Sequence, residues 1–139
     1  LVNVDPGFDP RNVLMGRISL TRPVYSDSGE RARFLQQTLD RLRALPGVES
    51  AALVAPMPFS GGNVAGDFRI EGAPPPRPGD EPMAAIRSVT PEYFAAIRIP
   101  LRRGRYFTPR DRRGAPGVAI INEALARQYF PNENPVGRR

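Results

Sequence analysis

Cysteine, histidine and lysine are all missing from this chain of 139 residues. Each absence removes chemistry. Without cysteine there are no disulfides and no thiol nucleophiles, and redox compartment leaves no trace in the sequence. Without histidine as well, most zinc sites and every His-based triad or acid–base relay drop out. Without lysine a Walker A phosphate loop is impossible, and a serine nucleophile has no lysine to serve as its base. Long apolar runs are scarce too. The longest are AALVA (51–55) and VAII (118–121), far short of the roughly 20 residues that span a bilayer. The chain opens on Leu1 with no signal-peptide pattern, and reads as an excised or processed piece of a longer protein.

What is present points to a globular domain. Hydrophobic residues make up 40% and charged residues 24%, a composition that folds. The length suits one domain or two small lobes sharing a core. Seventeen prolines and thirteen glycines argue against long uninterrupted helices and for strands with punctuated loops. All twenty basic residues are arginine, a bias that reads as codon preference in a GC-rich genome. The net charge of +6 and a pI near 10.9 permit contact with anionic lipid or nucleic acid.

The pattern along the chain predicts alternating elements. NVLMGRISLT (12–21) alternates as a half-buried strand with a slip near Gly16. Asp27-Ser28-Gly29-Glu30 matches a capping box, opening a helix to about Leu45 with Leu35, Leu39, Leu42 and Leu45 on one stripe. Pro46-Gly47 stops it. VESAALVAP (48–56) is the next strand. DFRIEG (67–72) and MAAIRSV (83–89) are expected to pair as a hairpin across a proline-rich loop. Thr90-Pro91-Glu92 carries the signature of a helix start, with Tyr93, Phe94 and Ile97 on its buried side and Pro100 at its end. Thr108-Pro109-Arg110-Asp111 repeats that signature. GVAII (117–121) reads as a buried strand before a helix capped by Asn122, and NENPVGRR (132–139) as a loop with no partner in the chain.

Candidate chemistry thins out on inspection. SGGNVAG (60–66) leads into a strand, not a helix, and reads as a mobile loop. Asp80-Glu81 lies in the proline-rich stretch, a poor frame for two catalytic carboxylates. Glu92, Asp111 and Glu123 fall in expected first turns, where capping explains them. No nucleophile has a base, so the chain is not an enzyme, and no cofactor or metal is implied. Two features remain as contact candidates. Met57 and Phe59 are bulky apolar groups among prolines just beyond a strand end. Seven arginines fall in residues 98–113, with Arg102, Arg103 and Arg105 at their centre. Pro100 and Gly104 break that run, so the arginines cannot line one basic helix.

Three stretches carry a family resemblance: LPGVESAALVAPMPFSGG, VTPEYFAAIRIPLRRGRYFTPRD and GVAIINEALARQYFPNENPVGRR. The most specific elements are Tyr93-Phe94 after Thr90-Pro91, the Gly104-Arg105…Phe107 turn, Ile121-Asn122-Glu123-Ala124 before Tyr129-Phe130-Pro131, and Asn134-Pro135-Val136-Gly137. From about Gly7 to Arg139 the chain resembles the MacB-like periplasmic core domain of MacB/FtsX-type ABC transporter permeases. The resemblance implies an α+β fold: a porter-like strand–helix–strand lobe with a mixed sheet at 1–89, and a smaller inserted α/β lobe at 90–139, truncated at its C-terminal end. It also implies a soluble, periplasm-facing domain of a bacterial inner-membrane protein. Its implied partners are its own transmembrane helices, a cytoplasmic ATPase subunit, a second copy in a dimeric transporter and a periplasmic adaptor.

Two readings follow from different classes. One is a non-catalytic transporter domain that relays ATP-driven motion of the transmembrane helices to substrate export or partner activation. The other is a small basic nucleic-acid-binding module using Arg98–Arg113, whose binding would weaken steeply with salt.

Overall fold

A computed structural model describes residues 7–20, 27–57 and 64–139. The architecture is α+β, with three helices and two small sheets among the described residues. The chain divides into two compact units that alternate along the sequence: Leu1–Leu53 with Val89–Pro100, and Val54–Ser88 with Leu101–Arg139.

The first unit is organised by helix α1 (Ser28–Arg43). Asp27 caps it by accepting the Gly29 N–H, and its own carbonyl takes the Arg31 N–H. The expected cap residue is therefore right. Basic Arg41 and Arg43 sit in the last turn, where they complement the helix dipole. Of the four-leucine stripe, Leu39 is buried at 2% exposure and Leu35 is half-buried, whereas Leu42 and Leu45 are exposed. The apolar face is thus covered only along its middle.

Two sequence-predicted strands do not form. Residues 13–20 form no ladder, Asn12 sits in a turn at φ of +59°, and Leu14 is 99% exposed, with Met15 and Ile18 also exposed. Residues 117–121 behave alike, with Val118 and Ile121 exposed. Alternation tells which side chains share a face, but a strand exists only where a second strand takes its N–H and C=O groups. Neither segment has such a partner among the described residues. The 48–56 strand shrinks for the same reason to β1 (Val54–Ala55).

A hairpin organises the second unit. Strand β2 (Ala65–Asp67) pairs antiparallel with β3 (Met83–Ala85), in register Ala65↔Ala85, Gly66↔Ala84 and Asp67↔Met83. Phe68 N–H to Pro82 O at 2.9 Å and Ile86 N–H to Val64 O at 2.7 Å continue the register on both sides. The two segments meet, but the ladder is shifted: of the expected 67–72 strand Asp67 alone lies in it, and Ser88–Val89 pair in the other sheet. A Cβ on Gly66 would lie 2.9 Å from Ile86 Cδ1, the tip of an exposed side chain that would have to swing aside. A second two-stranded sheet joins β1 with β4 (Ser88–Val89).

Helices α2 (Tyr93–Ala96) and α3 (Glu123–Tyr129) follow. Asn122 caps α3 as expected, its Oδ1 accepting the Leu125 N–H at 2.9 Å. Tyr129 then meets Phe68 edge-to-face at 5.0 Å, joining α3 to the end of the hairpin. Residues 132–139 do find partners within this unit. Glu71 N–H donates to Arg139 O at 2.7 Å, Val136 Cγ2 lies where a Cβ on Gly104 would meet it at 3.5 Å, and Arg138 pairs with Glu133. Among the described residues no helix is long and apolar enough to cross a membrane.

Candidate functional site

Thr90 shows how tertiary structure redirects a local signal. Its hydroxyl, expected to cap α2, instead accepts the Leu53 N–H at 3.0 Å, while its N–H donates to Leu53 O at 3.1 Å. The N-cap position falls to Glu92, which makes no side-chain cap bond and pairs with Arg43 at 3.1 Å. Arg43 also donates to Ala51 O. Glu92 is therefore a tie to α1, not a cap.

The end of α2 differs from expectation too. Arg98, with φ of +52°, takes the left-handed position that closes the helix before Pro100 is reached. Ile99 N–H reaches back to Phe94 O at 2.9 Å and Arg98 N–H to Ala95 O at 3.2 Å, the paired bonds of a Schellman motif. The Arg98 guanidinium donates to Arg11 O at 3.1 Å and lies 3.4 Å from Asp9. Asp9 also accepts the side chain and the backbone N–H of Arg11. These bonds hold its carboxyl well below the usual carboxylate range, the Arg11 side chain contributing most.

In the second unit the candidate arginines divide by role. Arg105 grips Asp111 in two-point fashion, with Nη1 to Oδ2 and Nη2 to Oδ1 both at 2.7 Å. Asp111 also accepts the Thr108 N–H at 2.7 Å and the Thr108 hydroxyl at 3.2 Å. Its side chain is 11% exposed. The Arg105 hydrogen bond is the main cause of an Asp111 carboxyl held far below its ordinary value, and the same pairing raises Arg105. Residues 108–111 consequently form a side-chain-closed turn and no helix, a correction to the capping role expected for Asp111. Gly104, at φ of +83°, supplies the left-handed residue between Arg103 and Arg105.

Arg102 lies 3.3 Å from Glu123, which also pairs with Arg127 one helical turn along α3. Arg103 is exposed and has no ionic partner among the described residues. The structure therefore brings Arg105 into a structural clamp, Arg102 into a surface pair, and leaves Arg103 free. Arg110, Arg112 and Arg113 share the exposure of Arg103. They stood out in sequence only as members of the 98–113 run, because nothing local marks which arginines pair. Met57 is half-buried in the second unit, and Phe59 lies outside the described residues.

Asp80 and Glu81 have turn roles: Asp80 N–H donates to Arg77 O and Glu81 accepts the Gly79 N–H. Among the described residues no group of three acids gathers where it would hold a metal ion.

Comparison with known proteins gives this arrangement its setting. The family model of the MacB-like periplasmic core domain matches residues 3–139, so the chain belongs to that family. A stretch of 54 residues is 37% identical to a macrolide export ATP-binding/permease protein MacB of Syntrophobacter fumaroxidans. That stretch is 39% of this chain and 8% of the relative's length. No solved structure matches the chain. The matched family is thus one of periplasmic core domains, and the matched stretch is a small part of that relative's length.

Proposed function

We propose that this domain is a passive mechanical part: it relays ATP-driven motion of the transmembrane helices to substrate export or to activation of a partner outside the membrane. The observation that carries the reading is the family match over residues 3–139. The described side chains are compatible with it: Arg43–Glu92, Arg98–Asp9 and Arg105–Asp111 tie chain segments together. Such a part needs bodies that hold their shape and contacts that differ between two states.

Its partners in this reading are its own transmembrane helices, an ATPase subunit in the cytoplasm, a second copy in the full transporter and a periplasmic adaptor. A porter-like lobe built on 1–89 and a smaller lobe on 90–139 belong to the same proposal, as a division by chain segment; the compact units alternate across that boundary. Met57 and Phe59, with Arg102, Arg103 and Arg105, are the proposed contacts to partner or substrate. Macrolide export is what the relative's name assigns to that relative; for this chain the proposal is export or partner activation without a named substrate. The nucleic-acid reading is not favoured, because two of its central arginines are engaged with Asp111 and Glu123.

The test uses the complete permease with its ATPase, in membrane vesicles. Replacing residues 1–139 by a flexible linker is expected to leave ATP hydrolysis in place and abolish export or partner activation. Undiminished output without the domain would overturn the relay. Replacing Met57 and Phe59 by serine asks the narrower question, and unchanged coupling removes that loop from the contact surface.

A further inference from the structure

We propose that the arginine-bearing turns at 102–105 and 110–113 form a docking surface for the phosphate headgroups of an anionic membrane. The proposal rests on the periplasmic placement of the family and names the partner of arginines already considered.

Seven of the twenty arginines and one of the fourteen acids fall in residues 98–113, leaving thirteen of each elsewhere. The whole formal excess of +6 therefore resides in sixteen residues. The single acid among them, Asp111, is withdrawn from solvent and satisfied by Arg105 and Thr108. It offers little repulsion to an approaching anion. It also gathers charge. By binding Arg105 at 2.7 Å, it ties the turn that bears Arg103 to the segment that bears Arg110, Arg112 and Arg113. Those four side chains are exposed and lack ionic partners among the described residues. Like charges concentrated in a short stretch of chain repel one another, and the repulsion is relieved when anions join them.

The chemistry selects phosphate, which a guanidinium meets in two-point geometry. The surroundings select a lipid surface. The turn TPRDRRGA (108–115) has no large apolar residue, and the exposed Tyr106 beside the first turn is an aromatic of the kind that sits at headgroup level. Its irregular backbone offers no helix or ribbon to fill a DNA groove. Headgroups in a fluid layer rearrange around charges that have no regular spacing. A permease domain also works next to such a layer.

The experiment is co-sedimentation of the 139-residue chain with vesicles of mixed phosphatidylglycerol and phosphatidylcholine, against vesicles of phosphatidylcholine alone. The chain is expected to partition onto the anionic vesicles only. Binding should fall as added salt shortens the screening length from about 10 Å to about 3 Å. Each arginine lost should cost about fivefold in partitioning, and the triple variant R110Q/R112Q/R113Q about a hundredfold, with an unchanged circular dichroism spectrum. The triple variant R31Q/R33Q/R41Q removes equal charge from exposed positions of α1 and should retain most of the binding. Equal losses in the two variants would overturn the site, as would wild-type partitioning by R110Q/R112Q/R113Q or no binding to anionic vesicles at low salt. Displacement by inorganic phosphate at matched phosphate concentration, or tighter capture by duplex DNA or polyglutamate, would overturn the lipid surface as the partner. The assay contains neither ATPase nor transmembrane helices, so its failure leaves the relay standing, and failure of the relay leaves vesicle binding unaltered.

Discussion

In the unit made of Leu1–Leu53 and Val89–Pro100, polar contacts join residues far apart in sequence: Asp9 with Arg98, Arg43 with Glu92, Leu53 with Thr90. In the unit made of Val54–Ser88 and Leu101–Arg139 the strongest charged contacts are local, with Arg105 reaching six residues to Asp111 and Arg138 five to Glu133. The difference is one of chain entropy. Closing a long loop costs more than closing a short one, though the cost grows slowly. The long-range ties are accordingly doubled: Thr90 holds Leu53 through both N–H and hydroxyl, and Arg98 holds both Asp9 and the Arg11 carbonyl. The local clamps define turns; the distant ties define which segments meet.

Removing the first unit's buried anchor should have the largest effect. Leu39→Ala deletes the one buried apolar side chain among the described residues and should lower stability by about 2–4 kcal/mol in urea unfolding. A loss below about 1 kcal/mol would break the comparison, because packing on α1 would then not be what the long-range ties assemble around. Next comes one of those ties. Thr90→Val leaves the Leu53 N–H without its hydroxyl acceptor and should cost about 1–2 kcal/mol, while Thr90→Ser restores the wild-type value. Hydrogen exchange should speed up at Leu53 in the valine chain. An unprotected Leu53 amide in the wild type would remove the tie.

How much of this was legible follows the same division between local and distant. The Asp27 cap and the Asn122 cap are signals confined to a few residues, and each stands where the sequence puts it, whereas α1 ends at Arg43, ahead of the Pro46-Gly47 stop. The hairpin pairing was legible because its two strands are near neighbours in the chain. Thr90, Arg98 and the Arg105–Asp111 clamp were not. A threonine before Pro-Glu looks like a cap until Leu53 arrives from elsewhere in the chain, and a run of arginines does not say which of them meets an acid. The alternation at 12–20 and 117–121 was legible as pattern, but a ladder needs a second strand that pattern cannot supply.

The local clamp gives a pH-dependent way to sharpen the contrast. Asp111 has its pKa lowered in the fold by Arg105 and Thr108. Its stabilising contribution is therefore complete above the ordinary aspartate value, about 3.9. It declines as pH falls from there toward the lower folded value, and is gone below that. Asp111→Asn should reduce the unfolding midpoint at neutral pH, with the gap to wild type closing under acid. Thr108 should be the amide whose exchange accelerates most. A gap that persists unchanged at low pH would show that the carboxylate charge is not what holds the turn. Asp9 shares the direction of shift, mainly through Arg11 two residues on, so Asp9→Asn run in parallel tests a second local clamp.

The smallest effect is expected at Arg98, where two opposing contributions meet at one residue. The left-handed backbone disfavours any residue with a Cβ by about 1 kcal/mol, and the guanidinium contacts to Asp9 and the Arg11 carbonyl offset that cost. Glycine removes strain and contacts together, so Arg98→Gly should stay within about 0.5 kcal/mol of wild type. Alanine loses the contacts and keeps the strain, placing Arg98→Ala about 1 kcal/mol below glycine. Urea midpoints of the three chains order them. If alanine and glycine coincide, the helix end carries no strain, and Arg98 is held by its side chain alone. If glycine falls as far below wild type as alanine was expected to, the distant tie outweighs the local geometry.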